Sequence, residues 1–206
     1  YIEAIKEKHK PIVFNNADLH FLREIRAAVA AKDEELMDAA VITRGLELEV
    51  CRDVDAVLTY NTTEHAVIAS HNMHQDNLHV TPWVLDTKPP GPGFKERAGI
   101  AFLGGYNHKP NVEAVEFMVK QVMPKLLAVR PDITFYIYGS KMPEVFDEYA
   151  SENVVIKGFA ETLDGVYHDH RIFIAPLISG AGIKGKVLDA MAYATPTVLT
   201  DVAAEG

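Results

Sequence analysis

Only one cysteine, Cys51, stands among the 206 residues. No disulfide can therefore close within the chain, and such sparing use of cysteine fits a reducing compartment. Nowhere do ~18 apolar residues follow one another, so no segment reads as a membrane-spanning helix. No signal-peptide pattern is visible either, and a cytoplasmic location is the expectation. Positive charge is scarce: 20 Lys and Arg against 29 Asp and Glu leave a net charge of −9, divided as −5 over residues 1–97 and −4 over 98–206. Without a basic lobe, a nucleic-acid-binding face is not expected. What is present, 48% hydrophobic and 24% charged residues, is ordinary folded composition and excludes a disordered tail, a fibre or a disulfide scaffold.

The length corresponds to about 1.4 average domains. The sequence begins at Tyr1 rather than Met and ends at Glu205-Gly206, just after an apolar strand pattern. Both ends read as cuts, so an excerpt of a longer protein is expected.

Apolar runs alternate with helical periodicity from end to end. Pro11–Phe14, Asp55–Tyr60 and Leu78–Val80 read as strands of the first half, the last running on toward Leu85. Asp33 to about Val54 reads as a helix, and Thr62 or Thr63 as the cap of another through Ser70. Lys88-Pro89-Pro90-Gly91-Pro92-Gly93 then interrupts the pattern. Its prolines fix φ and remove donors, which makes a stiff connection. The expected division is residues 1–87, a linker at 88–97, and a second domain at 98–206.

The second half reads as strands at 100–103, 133–138, 154–156, 172–175 and 197–200. Helices are expected at 110–129, 144–150, 163–167 and up to Tyr193. Strands alternating with helices imply βαβ units and a parallel sheet. Ligands of such sheets bind beyond the carboxyl ends of the strands, so the residues following them matter most.

Ser179-Gly180-Ala181-Gly182-Ile183-Lys184-Gly185-Lys186 follows a strand and opens a helix. Small residues there let a ligand approach the backbone, and first-turn amides favour a phosphate. Lys184 and Lys186 add charge. A tight turn with solvated lysines is the competing explanation. The spacing is neither a Walker pattern nor a dinucleotide fingerprint. Three more carboxyl-end loops strengthen the phosphate reading: Gly104-Gly105-Tyr106-Asn107-His108-Lys109, Gly139-Ser140-Lys141, and Gly158-Phe159-Ala160-Glu161, whose amides could hold a flat base.

These segments carry a family resemblance. Phe102-Leu103-Gly104-Gly105 with His108-Lys109-Pro110-Asn111, Lys157-Gly158-Phe159, and Ala175-Pro176-Leu177 followed by Gly180 through Ala192 resemble retaining glycosyltransferases of family four. Thr195–Thr200 completes that match, and Asp18–Glu24 is similar to an acceptor-side segment of bacterial members. The resemblance implies an α/β fold of GT-B architecture, with two Rossmann-like domains facing across a cleft and both incomplete in this chain. It also implies transfer of a hexose or deoxyhexose from a nucleotide-diphospho-sugar to a glycan or lipid-linked acceptor, with retention.

Carried over by position, Gly182 and Ile183 would hold the diphosphate through amides at the helix start. Lys184 and Lys186 would neutralise the leaving group. Gly104, Gly105, His108, Lys109, Gly139, Ser140, Lys141 and Phe159 would complete the donor site. The family usually carries two glutamates eight positions apart; Asp189 stands at the second and could accept ribose hydroxyls, whereas Ala181 at the first has no carboxylate. His20, in the acceptor-side segment, either contacts acceptor or donor sugar or is a turn histidine beside a capping Asp18. No cofactor and no metal are expected, because lysines and amides can stabilise the departing diphosphate. Peripheral membrane association stays open.

Other patterns carry less. Asp53-x-Asp55 spells a metal motif at a helix end, and His71-x-x-His74 and His168-x-His170 have ligand-like spacing; loop histidines are the expected reading of both pairs. Asn61-Thr62-Thr63 spells a glycosylation sequon but suits a helix cap. Glu64 either faces a cleft or caps a helix. The rival functions are a nucleotide-sugar 2-epimerase of the same architecture, a noncatalytic sugar-nucleotide-binding module and, more distantly, a dehydrogenase, for which Phe14-Asn15-Asn16-Ala17 lacks the glycine fingerprint.

Overall fold

The structure, a computed structural model, describes Ile5 and residues 10–71 and 75–205. His74 lies outside these residues. The chain divides into two compact units: residues up to Val84 with Ser179–Ile183 and Glu205, and Leu85–Ile178 with Lys184–Ala204.

The first unit carries a three-stranded parallel sheet in the order β1 (Val13–Asn15), β2 (Ala56–Thr59), β3 (Leu78–Val80). Its helices are α1 (His20–Ala31), α2 (Glu34–Asp53) and α3 (Thr62–Ala69). Asp33 caps α2 by accepting from Leu36 N, as acidic residues at a helix start should. Helix α1 is absent from the expected elements, although Phe21, Leu22, Ile25 and Ala28 recur at helical spacing. Its N-terminus is closed by a side chain from another helix: Glu47 accepts from His20 N at 3.1 Å and Phe21 N at 2.9 Å. Leu19, Phe21, Leu48, Cys51, Val57 and Ile68 form the core of this unit. The segment from Thr81 to Leu85 does not continue β3 as a strand.

The cap of α3 is Asn61, not Thr62 or Thr63. Asn61 Oδ1 accepts from Glu64 N at 2.7 Å, and its Nδ2 donates to Glu64 Oε2 at 3.1 Å. Glu64 Oε1 in turn accepts from Leu19 N at 2.9 Å. Both side chains are buried, so the carboxylate is a structural anchor with its oxygens satisfied. Asn61→Ala removes the cap and one partner of a buried charge. A loss of about 2 kcal/mol is expected in denaturant unfolding, against near-neutrality for Thr62→Ala.

The second unit holds a five-stranded, all-parallel sheet. Its strands are β4 (Ile100–Gly105), β5 (Phe135–Ser140), β6 (Val154–Gly158), β7 (Ile172–Ala175) and β8 (Thr197–Leu199), in spatial order β6-β5-β4-β7-β8. The order reverses at β4, the place where such sheets bind ligands. Phe102, Phe135, Ile137, Phe173 and Ala175 are fully buried between helices on both faces, as parallel strands require.

The helix expected over 110–129 is three pieces: α4 (Lys109–Phe117), a π-turn (Met118–Val122) and α5 (Met123–Leu127). Pro124 has no N–H for the ladder and its ring crowds the preceding turn, and the wider turn stands just before it. A short 3₁₀ helix (Glu144–Tyr149) replaces the helix expected at 144–150, and α6 (Asp164–Tyr167) follows β6. Helix α7 (Gly185–Ala192) follows β7, and α8 (Asp201–Ala204) is the last element in chain order.

The proline-rich segment lies on the second unit. Lys88 N donates to Ala192 O at 3.0 Å, and buried Arg97 donates through Nε to Pro92 O at 2.8 Å.

Candidate functional site

Three glycines shape the carboxyl edge of the second sheet. Gly104 and Gly105 end β4, Gly139 and Ser140 end β5, and they pair in register. Gly139 has φ +140°, and a Cβ there would lie 1.7 Å from Gly104 O. No other residue fits this close approach of two strands. Beyond it, Tyr106 folds back and donates its hydroxyl to Tyr138 O at 2.9 Å, fixing the loop after β4.

An open cavity of about 480 Å³ lies against this edge. Gly104, Gly105, Gly139 and Ser140 form one wall, Phe159, Ala160 and Glu161 after β6 another, and Lys186 and Asp189 of α7 a third. Phe159 is 73% exposed, a large apolar face left at the rim.

Lys186 is the basic residue among those lining the cavity. Its Nζ donates to Asn111 Oδ1 at 2.5 Å and lies 4.5 Å from the centre of the Phe102 ring. Burial alone pushes its pKa down to about 7. Tyr167 steadies the same turn by donating its hydroxyl to Lys186 O at 3.0 Å. Asp189 sits three residues on, the same face of the helix; burial raises its pKa, with nearby Lys88 opposing. A lysine whose pKa is lowered toward neutrality, in a concave, glycine-lined site that also holds a carboxylate, is a functional-site signature.

Seven of the residues expected to bind the donor or act on it therefore line one cavity: Gly104, Gly105, Gly139, Ser140, Phe159, Lys186 and Asp189. The others do not line it. His108 is the exposed residue before α4, and Lys109 pairs with Glu113 at 3.3 Å. Lys141 is exposed just past β5 with φ 58°. Lys184 is the N-cap residue of α7. Ala181, Gly182 and Ile183 belong to the loop before that helix and fall with the first unit. The helix starts at Gly185, not at Gly182-Ile183, so its first-turn amides begin with Gly185 and Lys186, while Val187 N already donates to Lys184 O at 2.8 Å.

In the first unit, His20 is the first residue of α1. Its Nδ1 is 2.9 Å from Glu47 Oε1, and Asp18 pairs with Arg23 instead of capping the helix.

Asn111 is the residue whose part in the site was not foreseen. Its Nδ2 donates to Gly105 O at 2.8 Å while its Oδ1 accepts a hydrogen bond from Lys186 Nζ. Its spacing with Ala114, Val115 and Met118 puts a polar residue on a buried helical face, which is the signal available in sequence.

The pair His71-x-x-His74 includes a residue outside those described; His168-x-His170 and Asp53-x-Asp55 belong to no metal-suited group among the described residues. His170 lies in the loop between α6 and β7, as expected, but it is buried rather than solvated. Its Nδ1 lies 2.9 Å from Ala98 O, which only accepts, so that nitrogen carries the proton and Nε2 accepts from Tyr138 OH at 2.9 Å. Burial lowers its pKa. Asp55 accepts from Ile12 N at 2.7 Å. No group of three or more His, Cys, Asp or Glu suited to a metal occurs among the described residues. Among the same residues, no helix is long and apolar enough to cross a membrane.

Several known proteins are similar to this chain. An uncharacterized 44.6 kDa protein in the cps region of Klebsiella pneumoniae is 28% identical over 116 residues, 52% of this chain and 30% of that protein. The chain thus spans less than a third of that relative. Among solved structures, HepE of Anabaena in complex with UDP-glucose superposes with a TM-score of 0.66 at 10% identity, over 98% of this chain and 56% of that one. Sucrose-phosphate synthase from Thermosynechococcus elongatus gives 0.65 at 14% identity, over 97% and 53%. TarM gives 0.63 at 14% identity, over 78% and 32%. At these identities the likeness is one of fold, that of GT-B glycosyltransferases. Residues 97–206, more than half of the chain, match the glycosyl transferases group 1 family, and the chain belongs to that family.

Proposed function

We propose that the protein is the donor-binding part of a retaining, family-four-type glycosyltransferase that moves a hexose or deoxyhexose from a nucleotide-diphospho-sugar to a glycan or lipid-linked acceptor. The observation that carries this is the half-buried Lys186 on a glycine-walled cavity at the carboxyl edge of a parallel sheet. Negative charge grows on the diphosphate as the sugar leaves. Lys186 and the first-turn amides of α7 stabilise that charge without a metal. Phe159 offers a face for the base, and Asp189 a carboxylate for the ribose hydroxyls. Gly182 and Ile183, just upstream of α7, and Lys184 at its cap complete the approach of the donor. His20 serves the sugar or acceptor side. UDP is the first donor nucleotide to try, because HepE was solved with UDP and with UDP-glucose.

UDP, GDP, ADP and dTDP and their sugar conjugates are titrated by calorimetry, with and without EDTA. At least one diphosphate is expected to bind, with the same affinity in both buffers. If none binds, the donor site is wrong. If EDTA abolishes binding, metal independence is wrong and the donor site stands.

A further inference from the structure

The cation at the cavity is held by groups that leave its charge intact. Lys186 Nζ has a neutral amide oxygen, Asn111 Oδ1, at 2.5 Å, and an aromatic face, Phe102, at 4.5 Å from the ring centre. No carboxylate among the described residues comes within 4.0 Å of it. Asn111 cannot rotate freely to release it, because its Nδ2 is engaged by Gly105 O at 2.8 Å and its side chain packs on Gly104. The amide is thereby oriented with its oxygen toward the lysine. The bond also ties α7, which carries the lysine, to the glycine wall at the end of β4.

We propose that Asn111 is a positioning residue for the donor diphosphate, pinning Lys186 beside Gly104 and Gly105 with a neutral acceptor that cancels none of the ammonium's charge toward the ligand. This rests on the donor-site reading above. An aspartate would hold the ammonium as well or better, yet it would neutralise it and repel the anion. An alanine would leave the amine unanchored and poorly solvated, and so easier to deprotonate.

The ionisable groups around Lys186 are few. Glu161, after β6, and Asp189, on its own helix, line the same cavity. Lys184 stands two residues before it, and Tyr167 reaches its carbonyl rather than its ammonium. On α4, His108 and Lys109 stand at the exposed start. The substitutions at Asn111 leave all of these unchanged, so a moved titration belongs to the Asn111 contact.

The test has a ligand-free arm and a ligand arm. In the first, the Lys186 side-chain Cε resonance is followed through pH by NMR in the parent, Asn111→Asp and Asn111→Ala. The aspartate should raise the midpoint by roughly 1–3 units, and the alanine should lower it. In the second, UDP and uridine are titrated near pH 7. Both variants should weaken UDP by about tenfold or more while uridine binding stays as in the parent. Unmoved midpoints in both variants would overturn the proposal, whatever UDP does. So would equal losses for UDP and uridine, the mark of a merely structural residue. Midpoints that move as expected while the parent ignores UDP would leave the positioning contact standing and sink the donor reading instead.

Discussion

Lys186→Met is expected to abolish donor use while leaving the protein as stable as the parent near pH 6. Methionine keeps the apolar stem over Phe102 and removes the ammonium. Loss of one preorganised group facing a developing anion costs about 100- to 1000-fold in kcat/KM. Diphosphate affinity should fall roughly 10- to 100-fold with it.

The stability side follows from proton linkage. The folded protein holds Lys186 near a pKa of 7, below the usual lysine range, because burial disfavours the charged form. Between pH 7 and the unfolded value near ~10.4, the unfolded chain therefore binds more protons, and stability from this group rises with pH. Below pH 7 the full cost of the buried charge is present. Removing the ammonium lifts that cost, which offsets the unpaired oxygen left on Asn111. A clear fall in melting temperature at pH 6, or turnover within threefold of the parent, would contradict this assignment. A group kept in place at a cost to the fold is the pattern of a functional residue.

Gly139→Ala is expected to produce the largest loss of stability of any single methyl added along the cavity wall. The new Cβ meets a backbone carbonyl, Gly104 O, at 1.7 Å, and Tyr106 Cε2 at 2.8 Å, so nothing flexible can yield. The φ of +140° is also one that alanine rarely adopts. Strain and clash together should cost about 3–5 kcal/mol, and the β4–β5 pairing at Gly104 and Gly139 should open. Gly158→Ala is the control. It too has a positive φ, +76°, but a Cβ there meets nothing within 4 Å. Only the backbone penalty of about 1–2 kcal/mol remains. Equal losses in the two variants, by urea unfolding, would show that close strand approach does not explain Gly139.

The order of strands and helices in the second unit was readable because each parallel strand is a short apolar run bounded by glycine or proline. Ile172–Ala175 before Pro176 is one case, and Phe135–Ser140 around Gly139 is another. The glycine-rich run after β7 was readable too, since small residues and lysines stand out against helical periodicity. Helix starts were less so. Lys184 rather than Gly182 or Ile183 precedes α7, and Asn61 rather than a threonine caps α3. Such choices turn on which side chain reaches an amide, and neighbouring residues of similar type compete for it. Helix α1 was passed over because its N-terminus is closed by Glu47, 27 positions away from His20.

Non-local partners also explain the rest of the site. Asn111 and Lys186 are 75 positions apart, and only the reversal of strand order at β4 brings α4 and α7 to the same edge. The histidines show the converse. His170 has metal-like spacing with His168, yet its partners are a tyrosine and a carbonyl supplied by other strands and loops.

The most direct measurement is proton uptake on binding UDP. Calorimetry at pH 8 in two buffers of different ionisation enthalpy reports it without further assumption. Free Lys186, with a pKa of about 7, is mostly neutral at that pH. A bound diphosphate favours the ammonium, so binding should take up close to one proton per UDP in the parent and almost none in Lys186→Met. Affinity should likewise fall as pH rises above about 7, by up to tenfold per unit. Binding with no proton uptake in the parent, or with equal uptake in both proteins, would contradict the placement of the diphosphate at Lys186.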